Sequence, residues 1–210
     1  MINNHYHHLA FGPAAIERQR ANGSYVAYGT HLERPDDGPD QLGSRELRMI
    51  ADATQFYLGT VTPTGWPYLQ YRSGPAGFVR HLGGNTVRFI DLPGNNQFVT
   101  LGNLTADDRL AMFFVDYPRK QRLKVFGRGS VREGERREID VTVEAFDWNC
   151  SRSIIPRYDQ QYLTDLGKAY QDKAAAKEAE LTAEIERLHA RIDQLEQRGG
   201  RQRPSARTDS

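Results

Sequence analysis

One cysteine, Cys150, in 210 residues rules out a disulfide framework, a cysteine-rich zinc site and a CxxC redox pair. The longest unbroken apolar run, Leu110 to Val115, is six residues, against the ~20 that a helix needs to cross a bilayer. Lys plus Arg (28) nearly cancels Asp plus Glu (27), so no field of one sign draws nucleic acid or an anionic membrane. Met1 to Ala10 is polar and histidine-rich, without the apolar centre of a signal peptide. The expectation is a cytoplasmic chain, in which the Asn-x-Ser/Thr matches at Asn22, Asn103 and Asn149 arise by chance. The common catalytic signatures are absent as well: no GxGxxG after a strand, no GxxxxGKS/T, no HExxH and no GxSxG. His5, His7 and His8 read as solvated residues of a frayed terminus, so no metal is expected, and Cys150 beside Trp148 reads as a small buried filler.

What is present is aromatic and turn-rich, and it stops abruptly. All 19 glycines except Gly167, Gly199 and Gly200, nine of the ten prolines, all nine phenylalanines and both tryptophans precede residue 158. That places a folded body at 44–158, after an arm at 1–43 with a short helix near Ala15 to Ala21 and a loop at Pro35 to Asp40. A helix is predicted after Ser44 as N-cap, with Leu47, Ile50 and Ala51 at helical spacing. Six strands follow: Phe56 to Val61, Trp66 to Tyr71, Val87 to Asp91, Leu110 to Asp116, Leu123 to Arg132 and Ile139 to Phe146. The turn Thr62-Pro63-Thr64-Gly65 joins the first two. Short strands with turns between them and no βαβ rhythm predict a mainly β fold, a six-stranded antiparallel barrel with flanking short helices and a long C-terminal helix.

That helix is expected over 159–197. Leu181, Ile185, Leu188, Ile192 and Leu195 are spaced four, three, four, three, putting Ile at a and Leu at d as in a parallel two-stranded coiled coil. The cross-chain pairs would be Glu184 with His189 and Arg191 with Glu196. Before Leu181 the seam degrades to Glu178, Ala174 and Gln171. Two readings stand: an amphipathic helix packed on the body's own surface, or a coil that pairs with itself or a partner. The tail, 198–210, is arginine-rich and disordered on composition.

The remaining chemistry lies at strand ends. Arg72 closes the second strand, Pro93-Gly94-Asn95-Asn96-Gln97 follows the third, and Arg119, Lys120, Arg122 and Lys124 open the fifth. Backbone N–H groups and side-chain amides, joined by one or two arginines, can clamp a phosphate. In order along the chain come Gly65-Trp66-Pro67-Tyr68-Leu69-Gln70-Tyr71-Arg72, Gly74-Pro75-Ala76-Gly77-Phe78, Asp91-Leu92-Pro93-Gly94-Asn95-Asn96, Leu101-Gly102-Asn103-Leu104, Asp116-Tyr117-Pro118-Arg119 and Arg122-Leu123-Lys124-Val125-Phe126-Gly127. This series resembles the pyridoxamine 5′-phosphate oxidase-like, FMN-binding split-barrel family, and most of all its small oxidase-related flavin-binding members. Asp147-Trp148-Asn149-Cys150 with Ile155-Pro156-Arg157 is similar to a closing motif of that subgroup.

The resemblance implies a split barrel that dimerises, with FMN in each of two clefts at the subunit interface. It assigns flavin-phosphate binding to Arg72 and to the loop residues Asn95, Asn96 and Gln97, and a further cofactor contact to Arg122 with Lys124 beside it. Gln70 stands where the oxidase proper has its arginine; strand alternation puts Gln70 and Arg72 on one face. Trp148, Tyr71 and Phe78 are candidates to pack on the ring or simply to fill core. The oxidase's Ser-Arg-Lys phosphate triplet is replaced by uncharged Asn95-Asn96-Gln97, and Pro75 stands in place of its substrate-binding lysine. The Arg187-Leu188-His189 triplet looks like the oxidase's Arg-x-His pair but sits in the helical seam. The implied activity is a flavin-dependent oxidoreductase acting on an unidentified small molecule, with vitamin-phosphate oxidation disfavoured. The alternative is a flavin or haem carrier whose helix is an interaction surface.

Overall fold

A computed structural model describes residues 4–92, 96–148 and 152–200. The chain divides into two compact units, Met1–Arg157 and Tyr158–Ser210.

The first unit opens with α1 (His5–Ala10), α2 (Pro13–Asn22), α3 (Tyr25–Tyr28) and a 3-10 turn at Gly29–Glu33. The expected frayed, solvated terminus is thus helical over residues 5–10. Its cause is Tyr6, buried and stacked on Phe126 with ring centres 5.3 Å apart. The histidines are engaged too: His5 Nδ1 lies 2.8 Å from Asp36, and the His7 ring stacks on His31 at 4.3 Å. Among the described residues no group of His, Cys, Asp or Glu is placed to hold a metal.

Helix α4 (Ser44–Asp52) starts one residue earlier than a Ser44 cap requires. Gly43 is the capping residue, and Glu46 reaches back so that its Oε2 accepts the Gly43 N–H at 3.0 Å. The buried side of α4 carries Glu46 and Ile50, with Met49 and Ala53 against the core; Ala51 is exposed.

Seven strands follow: β1 (Gln55–Val61), β2 (Pro67–Ser73), β3 (Val79–Gly83), β4 (Thr86–Ile90), β5 (Arg109–Asp116), β6 (Gln121–Arg132) and β7 (Glu138–Trp148). Helix α5 (Val99–Ala106) lies between β4 and β5. The strands form one antiparallel sheet in the order β2-β1-β5-β6-β7-β4-β3. The architecture is a mainly β split barrel with flanking helices and a long C-terminal helix, as expected, with seven strands in place of six. The added strand, β3, is a short edge strand that buries only Val79 and Phe78 just before it. With four exposed positions out of five it carries no alternation to read.

The register sorts side chains onto two faces. Gln70 pairs with Leu58, Leu58 with Met112, and Met112 with Val125, a rung that points inward. The next rung, Tyr71–Tyr57–Phe113–Lys124–Asp147, points outward. Phe56, Phe89 and Phe114 are fully buried, and the Phe56 ring lies 5.1 Å from Phe89, 5.2 Å from Phe114 and 5.7 Å from Phe78. Such aromatic contacts carry the inner core. At the β6–β7 irregularity Gly127 is obligatory on space alone, since a Cβ there would meet the Thr142 carbonyl oxygen at 2.6 Å.

The second unit is helix α6 (Gln160–Gly200). Asp159 caps it, accepting the Tyr162 N–H at 2.7 Å. Leu181, Ile185, Leu188, Ile192 and Leu195 are each about half exposed, and Leu163, Leu166 and Tyr170 are exposed as well. At 100° per residue, Leu163, Leu166, Tyr170 and Ala174 fall on the same face as the Leu181–Leu195 series. The apolar face therefore continues upstream at eleven-residue spacing where the heptad breaks down. No helix among the described residues is long and apolar enough to cross a membrane.

Candidate functional site

Alternation along β2 turns Tyr68, Gln70 and Arg72 inward near the open end of the sheet. There they meet the segment between β4 and α5. Together with Asp91, Asn96, Gln97, Phe98, Thr100 and Arg137 they line one pocket of about 390 Å³, counted to its open mouth.

Its polar groups form a connected set. Arg72 Nη1 lies 2.6 Å from Asp91 Oδ1, and Arg72 Nη2 donates to Thr100 Oγ1 at 3.2 Å. Thr100 Oγ1 in turn donates to Gln70 Oε1 at 2.7 Å. The second oxygen of Asp91 accepts from Arg137 Nε at 2.6 Å. Asp91 is 7% exposed and Thr100 3%, so these bonds are shielded from water, where charge-assisted contacts are strongest. One donor is left over: Arg72 Nε is buried with no hydrogen-bond partner among the described residues.

The backbone rising into α5 is unusual. Asn96 and Phe98 adopt left-handed conformations, φ 56° and 53°, without being glycine. Each such residue costs on the order of 1 kcal/mol, and strain of this kind gathers at ligand sites. The result is that the α5 N-terminus, whose first N–H groups have no partner within the helix, opens onto the pocket at Val99, Thr100 and Leu101. The Phe98 ring is 52% exposed and sits 5.2 Å from the Arg137 guanidinium.

Four residues singled out from the sequence, Gln70, Arg72, Asn96 and Gln97, thus come together, while Asn95 and Cys150 lie outside the described residues. The others are elsewhere. Lys124 is on the outer rung, where its Nζ donates to the Tyr6 hydroxyl at 2.7 Å and lies 3.2 Å from Asp147. Burial works against its charge, but the Tyr6 hydroxyl and the Asp147 carboxylate outweigh it and hold its pKa above the usual lysine value. Arg122, two residues earlier and paired with Val115, shares that outer face; its Nε is likewise buried without a described partner. Arg72 and Arg122 therefore occupy opposite faces of the sheet within one chain.

Trp148 donates from Nε1 to Glu46 Oε1 at 2.6 Å and carries the Arg45 guanidinium over its ring at 3.8 Å. Its polar end is tied to α4. Phe78 is core, stacked on Phe56. Tyr71 is half exposed on the outer face and donates to Gln55 Oε1 at 2.7 Å. Arg137 is the residue the sequence did not offer: in Gly134-Glu135-Arg136-Arg137-Glu138 it reads as one charge in a surface turn. Only the pairing of β4 with β7 brings it to the pocket.

The pocket thus gathers Arg72 and Arg137 at a strand–helix junction of a split barrel. The family model for pyridoxamine 5′-phosphate oxidase matches residues 45–191, and the chain belongs to that family. No curated protein matches it. Among solved structures it is similar to a protein from Lactobacillus delbrueckii described as a putative pyridoxamine 5′-phosphate oxidase. That match has 14% identity and a TM-score of 0.42, covering 51% of this chain and 93% of that one. HupZ of Group A Streptococcus matches at 13% identity and TM-score 0.42, over 56% of this chain and 99% of that one. A Mesorhizobium loti protein described as FAD-binding matches at 11% identity and TM-score 0.37, over 52% and 95%. Likenesses this distant say nothing of ligand or activity.

Proposed function

We propose that the chain binds FMN and works as a flavin-dependent oxidoreductase on a small molecule, two copies pairing so that both contribute to each cleft. The orphaned Arg72 Nε carries this reading. A buried guanidinium N–H without an acceptor costs on the order of 1–3 kcal/mol, and an oxyanion entering the pocket removes that cost. The residues fit a flavin's phosphate end: Arg72 and Arg137 supply charge, Asn96 and Gln97 supply amides, and the α5 N-terminus supplies backbone N–H groups. Asp91 holds both arginines in place by one carboxylate oxygen each. Bound flavin supplies hydride and one-electron chemistry. The chain's own task is then to bind, orient and shield, which suits a pocket whose one carboxylate among the described residues, Asp91, already bridges two arginines.

Pairing explains the two faces. Arg122 cannot reach its own chain's pocket from the outer rung but can serve a cleft shared with a second copy. The outer face supports such contact, since Leu69 (68%) and Tyr71 (51%) are exposed along the edge strand β2. With Pro75 in place of a substrate lysine, a second phosphorylated molecule is not recognised, which argues against vitamin-phosphate oxidation. The apolar face of α6 pairs with the same face of another copy, with Glu184 opposite His189 and Arg191 opposite Glu196. Sedimentation should show Ile185→Asp weakening self-association relative to the unchanged chain; equal association would remove the coil.

One spectrum tests the main reading. Purified protein should be yellow, or become so with FMN, and should oxidise NAD(P)H with some acceptor faster than free FMN does. Flavin bound without turnover selects the carrier, a Soret band selects haem, and colourless protein that takes up no FMN ends the proposal.

A further inference from the structure

We infer that Arg137 is the second cation of the anion pocket, supplied from the β6–β7 connection in place of the charges missing from the loop after β4. This rests on the reading that a phosphate end enters the pocket. The loop at 95–97 is uncharged, so by sequence the site has one arginine and amides. Topology changes that count. Strands β4 and β7 are antiparallel neighbours, and Ile90 at the end of β4 pairs with Glu138 at the start of β7. The next residue on one side, Asp91, therefore faces the preceding residue on the other, Arg137, and the Asp91 N–H donates to the Arg137 carbonyl at 2.9 Å. A side chain 46 positions away in sequence is thereby anchored at the root of the phosphate loop.

The side-chain geometry is that of a pre-set donor. Arg137 gives Nε to Asp91 Oδ2 at 2.6 Å, and Phe98 flanks its guanidinium at 5.2 Å. Those two contacts fix the plane of the fork, and no other described side chain takes its terminal N–H groups. Arg72 is held by the other oxygen of the same carboxylate at 2.6 Å. Asp91 thus sets two guanidinium groups at one fixed spacing, which lowers the ordering cost when a tetrahedral oxyanion arrives. The left-handed turn at Phe98 gains a reason as well, because it aims the ring at Arg137 while starting α5.

The test compares FMN with riboflavin, which lacks the phosphate, by quenching of flavin fluorescence in the full chain. Arg137→Ala should weaken FMN about 10- to 100-fold, the span for losing charge-assisted bonds, and leave riboflavin unchanged. Arg137→Gln keeps a donor for Asp91 and should fold as the unchanged chain does, yet show the same selective loss; Arg137→Lys should recover part of it. Equal loss for both ligands, or no loss for FMN, overturns the inference. If the unchanged chain binds neither flavin, the proposed function fails and inorganic phosphate decides the present point. A phosphate-induced rise in melting temperature that vanishes in Arg137→Gln supports the second cation; a rise that persists, or no rise at all, refutes it.

Discussion

Arg72 and Lys124 are both basic, both lie on strands of the same sheet and both are largely withdrawn from water, at 14% and 33% side-chain exposure. Their surroundings differ because a strand's side chains alternate. Arg72 turns inward beside Gln70 and meets Thr100 and Asp91, with one N–H left unmatched. Lys124 turns outward and meets Tyr6 and Asp147, which together hold it to the N-terminal arm. One cation retains capacity for a ligand; the other closes a contact between segments 118 residues apart. A basic residue at a strand end keeps an open donor when the opposing rung and the following loop leave an acceptor missing.

The comparison breaks most directly at Arg72. Arg72→Ala should lower FMN affinity by about 10- to 100-fold, through the charge-assisted bond that Nε has to offer and the loss of the cation. It also leaves Asp91 with Arg137 as its one described side-chain partner, which should cost about 3 kcal/mol of stability. Urea titration checks the stability and fluorescence quenching the affinity. Should FMN bind Arg72→Ala as it binds the unchanged chain, the inner pocket is not the phosphate site, however much stability falls.

Most of the barrel is legible in the sequence because its strands are half-buried and alternate. Phe56, Leu58 and Thr60 in β1, or Leu110, Met112 and Phe114 in β5, show the period of two directly. Strand β3 does not, since Arg80, His81, Leu82 and Gly83 all face water. Helix α1 hides for a different reason: half of its six residues are histidine and its order comes from Tyr6 on Phe126, a contact visible only once β6 exists. Helix α5 is built from Thr, Gly and Asn as much as Leu, and tertiary context outweighs that weak propensity. The site divides likewise. Gln70 and Arg72 share a face by counting along one strand, whereas placing Arg72 relative to Arg122 needs the register of β2, β1, β5 and β6. Arg137 is out of reach of any local pattern, because a strand pairing puts it there.

A smaller effect, on the other side of the comparison, should come from Lys124→Met. The substitution keeps the stem that packs along Tyr6 and removes the charge. FMN affinity should stay within about twofold, because the side chain faces the arm rather than the pocket. Stability should fall by about 1 kcal/mol or less, since a side chain one-third exposed is partly screened. The pH dependence identifies the cause. In the folded chain the Lys124 pKa lies above its ordinary 10.5, so its charge contributes stability that is complete below that value and is lost as pH rises through the raised pKa. Denaturation midpoints of the two chains should therefore differ at neutral pH and converge in strong alkali. A constant gap at every pH would assign the loss to packing, and a selective loss of FMN binding would place Lys124 with Arg122 in the shared cleft.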